Sequence, residues 1–230
     1  MAVSSLRVKE DQRLRFGGKS IEVIVGPEEE TFCLHEELVC AHSKFFENAM
    51  SREWKESAER RVRLPVDSPD IFSLYQNWLY TRKIPTAINK PGREGNVEYI
   101  RLSQAYCLGE KLMDTTFRDA IIDAIISKAE TPASDCNNWY PVGEAVRVIY
   151  SGTPEDSPAR KLFVTMYVWC GSEKWITFWS KREDLPKDFL IDLTTALLSD
   201  RKLPKGVYPW VGSNTCQWHS HGKETLCYKG

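Results

Sequence analysis

A chain of 230 residues with 42% hydrophobic and 27% charged side chains has globular composition, enough for one large domain or one domain with an appendage. That excludes wholesale disorder, a collagen-like rod and a low-complexity array. Lys and Arg number 31 against 32 Asp and Glu, so the chain as a whole does not draw nucleic acid or anionic lipid by charge. Residues 1–17 are polar and basic, with Arg7, Lys9, Arg13 and Arg15, and read as a flexible N-terminal arm. Ile21, Val23, Ile24 and Val25 predict a strand, Gly26 and Pro27 a turn, and residues 31–34 a returning strand, which makes a hairpin. The period then changes. Leu34, Leu38, Ala41, Phe45 and Ala49, widened by Val39, Phe46 and Met50, predict one helix over 36–50. Val62, Leu64 and Val66 alternate again, and Pro65 ends that strand or confines it to an edge.

Ser68 and Pro69 form a helix-start signal, with Ser68 expected to cap the free N–H groups; Ile71, Leu74, Tyr75, Trp78 and Leu79 carry the stripe. Pro85 stops it, and residues 89–95 read as a loop. Two helices follow, the first marked by Tyr99, Leu102, Ala105, Tyr106, Leu108 and Leu112. Asp114 is placed to cap the second, which carries Phe117, Ile121, Ala124, Ile125 and Ala129. The run 131–135 is the best candidate boundary. Beyond it, a helical extension over 131–202 contains a helix around Val142, Ala145, Val146 and Ile149. An apolar helix over 159–170 follows a second Ser-Pro signal at Ser157. A last helix carries Phe189, Leu190, Leu193, Ala196 and Leu197. Residues 203–230 form a Cys/His-containing tail without periodicity.

Seven cysteines, an odd number in mostly apolar settings, do not read as a disulfide framework. The N-terminus has no apolar leader, and the longest apolar run, 162–170, is far short of the ~20 residues a bilayer span needs. The expectation is a reduced, soluble, intracellular chain, cytoplasmic or nuclear, with no membrane partner.

Thr31, Phe32, Cys33, Leu34, His35, Leu38, Cys40, Ser43, Phe45 and Phe46 resemble the strand-to-helix junction of BTB/POZ domains. Trp54, Lys55, Glu56 and Ser57 extend the likeness, as do residues 62–65 and then Phe72, Trp78, Leu79, Tyr80 and Thr81. The chain resembles the small fungal proteins that carry one BTB domain near the N-terminus. The resemblance covers 18–130 and implies an α+β fold, a short sheet packed against a helical cluster. Two positions depart from the pattern: Lys19, Ser20 and Ile21 stand where many members have an Asp before the first strand. Arg82 stands where many have a Gly. The resemblance implies a non-catalytic protein–protein interaction module that dimerises or binds co-regulators, or serves as a substrate adaptor for a cullin-type ubiquitin ligase. Trp54 and Glu56 match the apolar-x-Glu anchor of cullin-binding members, a bulky side chain for a partner's pocket beside an orienting charge. The other reading of these two residues is Trp54 packed on its own domain and Glu56 solvated.

Little else carries chemistry. His35 and His42 lack a third group, and His35 is expected to satisfy local backbone. Gly18, Lys19 and Ser20 are not a phosphate loop, because Arg13 stands where that motif needs Gly and a strand follows. No triad, carboxylate pair or cofactor loop assembles, so neither an enzyme nor a small-molecule substrate is expected. Cys216, His219, His221 and Cys227 offer two thiolates and two imidazoles, the donor set of a closed structural zinc site; the alternative is a loose tail with incidental thiols. The tail also carries Arg201, Lys202, Lys205, Lys223 and Lys229 against Glu224, with Trp210 and Trp218. No nucleic-acid reader accompanies them, so a nucleic-acid contact is not expected. The rival function is a zinc-stabilised nuclear regulator acting through its BTB domain and this tail.

Overall fold

The computed structural model describes residues 18–51, 58–178, 180–199, 211, 215–222 and 226–228. The expected arm over 1–17 and the candidate anchor, Trp54 with Glu56, lie outside the described residues. Strands β1 (Ser20–Val25) and β2 (Glu30–His35) pair antiparallel, with Ile21 opposite Leu34 and Val23 opposite Phe32. Strand β3 (Arg61–Leu64) runs parallel to β1 on its other side, Val23 opposite Val62 and Val25 opposite Leu64. The period of two puts Ile21, Val23, Val25, Phe32, Leu34, Val62 and Leu64 in the core. The outer face is charged, and Arg61 pairs with Glu22 at 2.6 Å and Arg63 with Glu29 at 2.7 Å. Strand β3 stops before Pro65 and is also an edge, so Val66 is 87% exposed instead of joining Val62 and Leu64.

The helix expected over 36–50 is two helices, α1 (Glu36–His42) and α2 (Lys44–Ala49), broken at Ser43. Ser43 is extended and buried; its hydroxyl donates to the Leu112 carbonyl at 2.6 Å and accepts from the Phe46 N–H at 3.2 Å. A serine that tethers a distant carbonyl while capping a new turn ends one helix and starts another. Val39 and Phe46 are therefore the buried positions, and Ala41 is exposed. His35 finds its partner on another element: its own N–H donates to the Tyr80 hydroxyl at 3.1 Å, and its Nδ1 lies 2.8 Å from the same oxygen.

Helix α3 (Pro69–Thr81) buries Ile71, Leu74, Tyr75, Trp78 and Leu79, but Ser68 makes no side-chain cap, so Pro69 alone marks its start. It closes on Arg82 in the left-handed region, φ 57°, whose N–H reaches the Trp78 carbonyl at 2.9 Å. Helix α4 (Gly92–Lys111) begins inside the expected loop, because Pro91 sets its entry and Gly95 lets the Lys90 carbonyl approach where a Cβ would stand 1.9 Å away. Helix α5 (Thr115–Glu130) is capped by Asp114, which accepts from the Phe117 N–H at 2.9 Å, and from the Tyr75 and Thr116 hydroxyls at 3.1 and 2.9 Å.

After residues 131–143 come α6 (Glu144–Gly152), α7 (Pro158–Cys170), the short α8 (Glu173–Thr177), a 3-10 turn (Arg182–Asp184) and α9 (Lys187–Ser199). Ser157, like Ser68, leaves the helix after it without a side-chain cap. Helix α6 lies along α4, where Gly152 leaves room for the Cys107 thiol. Buried residues on both sides of the 131–135 run form one continuous core, so the extension packs directly on the first half. Helix α9 inserts Phe189 between Tyr150 and Tyr167, at ring distances of 5.3 and 4.9 Å; Leu190 and Leu197, expected in its core stripe, are exposed. The fold is mixed α+β, and among the described residues no helix is long and apolar enough to cross a membrane.

Two helix-start signals with different geometry should therefore respond differently to truncation. Asp114→Ala removes a cap and orphans the buried Tyr75 hydroxyl, and should destabilise by about 2 kcal/mol in urea unfolding. Ser68→Ala should stay within about 0.5 kcal/mol of wild type.

His42 supplies the pH dependence. Its Nε2 accepts from Arg82 at 2.6 Å, which leaves Nδ1 to donate to the Thr116 hydroxyl at 3.3 Å, itself a donor to Asp114. Burial first, then the Arg82 charge, push the imidazole from its ordinary 6.5 down to about 4. Between those values the unfolded chain binds more protons, so this contribution is complete above 6.5 and is lost as the pH falls toward 4. The stability difference between about pH 5 and about pH 7.5 should shrink in His42→Phe, measured by urea midpoints.

Candidate metal centre

Helix α5 sets the position of the tail. Ala120, Ile121, Ile122, Ile125 and Ile126 make it apolar on nearly every side, and all are buried. Asp119 and Asp123 stand one turn apart within that run and so are drawn inward with it. Asp119 is buried and Asp123 partly so; a carboxylate so placed must find donors, and both find them in the tail. Asp119 accepts the Ser220 backbone N–H. Asp123 accepts the Tyr228 hydroxyl on one oxygen and lies 3.0 Å from His219 Nε2 on the other. A 3-10 turn (Thr215–Trp218) leads into this contact and buries Trp218 where it meets α5 and α7.

The turn also explains the convergence of the four candidate ligands. Cys216 and His219 are three residues apart, and the His219 N–H reaches the Cys216 carbonyl at 3.1 Å. A 3-10 repeat of about three residues stacks such a pair on one side. The chain at 219–221 is bent instead of extended, yet His219 Nδ1 and His221 Nε2 lie 3.3 Å apart. Cys227 returns to place its Sγ 3.3 Å from the same Nδ1. One donor atom from each of Cys216, His219, His221 and Cys227 falls within 4.8 Å of every other. Bonds of ~2.0–2.3 Å to imidazole and thiolate in a tetrahedron give edges of ~3.3–3.8 Å, so the cluster needs only slight contraction to hold one metal ion.

Electrostatics favour a charged guest. Burial lowers the His219 pKa, but the hydrogen bond and charge of Asp123, with Asp119 and Cys227, outweigh it and leave it raised. Burial raises the Asp119 carboxyl, only partly offset by Ser220 and the two imidazoles. Its Oδ2 has no hydrogen-bond partner among the described residues and lies 3.9 Å from His219 Nδ1. The site thus concentrates carboxylate and thiol groups that a cation would stabilise.

All four tail ligands expected from sequence come together. Asp119, Asp123 and Tyr228 are the members that reading the tail alone does not reveal. The signal for the two acids is their place one turn apart around the apolar run 120–122, which marks carboxylates drawn toward the core and in need of partners. Ser20 opens β1, so the Gly18, Lys19, Ser20 run feeds a strand and not the helix a phosphate loop requires. No protein-family model matches the chain.

Because Trp218 seats the tail through packing, Trp218→Ala should destabilise the protein by about 3 kcal/mol. The loss should persist in the presence of a chelator, as measured by urea unfolding with and without it.

Proposed function

We propose that the chain is a non-catalytic protein-interaction module of the BTB/POZ type, with its Cys/His cluster holding a structural zinc ion. The observation that carries the reading is the topology of the first half. A hairpin leads directly into a helix pair, then into a strand parallel to the central β1, a long helix and a further helix pair. The resemblance of residues 18–130 rests on residue blocks and implies a short sheet packed against a helical cluster, and this element order supports that reading. The departure at Arg82 is consistent with it: φ is 57° at the position where related sequences often have Gly, so the backbone there keeps the conformation Gly favours.

Two thiolates and two imidazoles are zinc's preferred donors, and four protein ligands leave no open position for a substrate. The cluster faces α5 and the core, which suits a clamp on the fold. A cluster turned inward supports the interaction module over the rival, a zinc-stabilised nuclear regulator that contacts chromatin partners or DNA through its tail. Within the module reading, the leading role is that of an adaptor joining a cullin scaffold to a client, with a second copy of the chain as the other partner.

The test is titration of a purified cullin N-terminal domain into the full chain. Binding at micromolar or tighter concentration, lost in the Trp54→Ala, Glu56→Ala double variant, is the expected result. Failure to bind at those concentrations overturns the adaptor role.

A further inference from the structure

A neutral imidazole carries one proton, and the nitrogen that holds it cannot ligate a metal. In His219 the choice is made by helix α5. Nε2 faces Asp123 Oδ1 at 3.0 Å, and a carboxylate can only accept, so Nε2 carries the hydrogen. Nδ1 is left with its lone pair directed at Cys227 Sγ and His221 Nε2, both 3.3 Å away. The side chain of His219 is fully buried, which removes water as an alternative partner for Nε2. Asp123 is held in turn by the Tyr228 hydroxyl on its other oxygen, and Tyr228 directly follows the ligand Cys227. Asp119, one turn earlier, accepts the N–H of Ser220, which stands between the two histidine ligands. Two carboxylates of α5 therefore fix the orientation of a ligand and the backbone between two of them.

We propose that Asp123 is the positioning residue of the metal centre: it selects the Nε2–H form of His219 and thereby couples metal binding to docking of the tail on helix α5. The inference rests on the metal reading above and adds an element distant in sequence from every ligand. The partner of a ligating imidazole typically contributes roughly 10–100-fold in metal affinity. Asp119 supplies the second tie, so loading the cluster should order the Ser220 amide as well.

Competition for zinc against a chromophoric chelator, on the full chain, provides the affinity arm. Asp123→Ala should bind zinc roughly 10–100-fold more weakly than wild type, Asp123→Asn should fall between, and Asp123→Glu should recover part of the loss. Asp192→Asn, which disturbs the Tyr150 hydroxyl 2.8 Å away on α6 and not the tail, should leave the affinity unchanged. Long-range 15N–1H spectra of zinc-loaded wild type form the second arm, which does not depend on any variant folding. They should show His219 protonated at Nε2 and metal-bound at Nδ1. Amide exchange at Ser220 should be slow with zinc and should quicken when the metal is removed. Ligation of zinc through Nε2 of His219, an Asp123→Ala affinity equal to wild type, or Ser220 exchange indifferent to chelation would each overturn the inference while leaving the zinc site intact. A wild-type chain that takes up no zinc removes the site and the inference together.

Discussion

Helix α5 is buried along nearly its whole length, and every polar group it carries inward must be answered from elsewhere in the chain. At its start Asp114 takes the Phe117 N–H and the Tyr75 hydroxyl; one turn in, Asp119 takes the Ser220 N–H. Asp123 meets His219 and Tyr228, and near the end Lys128 pairs with the buried Glu98 at 2.8 Å and donates to the Ile88 carbonyl at 3.1 Å. The answers come from α3 for Asp114, from the tail for both Asp119 and Asp123, and from α4 and the connection before it for Lys128. The helix is apolar enough to anchor the core, and its acids, Arg118 and Lys128 specify which segments lie against it. Exchanging a buried pair for an apolar one can leave stability unchanged, so the gain from such pairs lies in registration as much as in energy.

The same constraint ties the two halves of the chain. Nothing separates the core at 131–135; Tyr99, Leu102 and Tyr106 of α4 belong to the same buried body as Val142, Val146, Ile149 and Phe163. Arg160, buried on α7, secures the turn between α6 and α7 by donating to the Tyr150 carbonyl at 2.8 Å and the Thr153 hydroxyl at 3.0 Å. Its guanidinium stacks 4.5 Å over the Tyr150 ring. A segment held this way moves with the sheet-bearing half. Any partner that engages the extension therefore engages a surface whose geometry is set by α4 and α5.

Much of this was legible in the sequence because period and capping are local. The alternation of Ile21, Val23 and Val25 gave the central strand, and Asp114 gave the start of α5. What was illegible depends on partners far along the chain. Ser43 breaks a helix because a carbonyl at Leu112 waits for its hydroxyl, and no window around 43 contains that carbonyl. Leu190 and Leu197 fit a helical stripe as well as Phe189 and Leu193 do; only the Tyr150 and Tyr167 rings decide which residues turn inward. For the candidate metal centre, donor type named the four residues that come together. The carboxylate that orients His219 lies 96 residues away, and the one that holds Ser220 lies 101 residues away.

The centre divides tail docking into two layers of different strength. Trp218 packing, the Asp119–Ser220 contact and the Asp123–Tyr228 contact need no metal, whereas in the proposed zinc reading the two thiols and two imidazoles are drawn together further by a cation. Without an ion the Cys227 thiol can donate to His219 Nδ1 at 3.3 Å, a weak tie within the cluster itself. Metal bound to the docked tail alone stabilises that state by mass action, in proportion to the logarithm of free metal over its dissociation constant. In the proposed zinc reading, loss of the ion therefore loosens Cys216, His219, His221 and Cys227 first. Release of Trp218 is opposed separately, by apolar burial against α5 and α7. Peeling the tail away also returns Asp119 and Asp123 to water, which recovers their hydration and lowers the cost of undocking. Asp119 and Asp123 thus hold the tail in register without making its release prohibitive, and in the proposed zinc reading a bound ion adds to that hold.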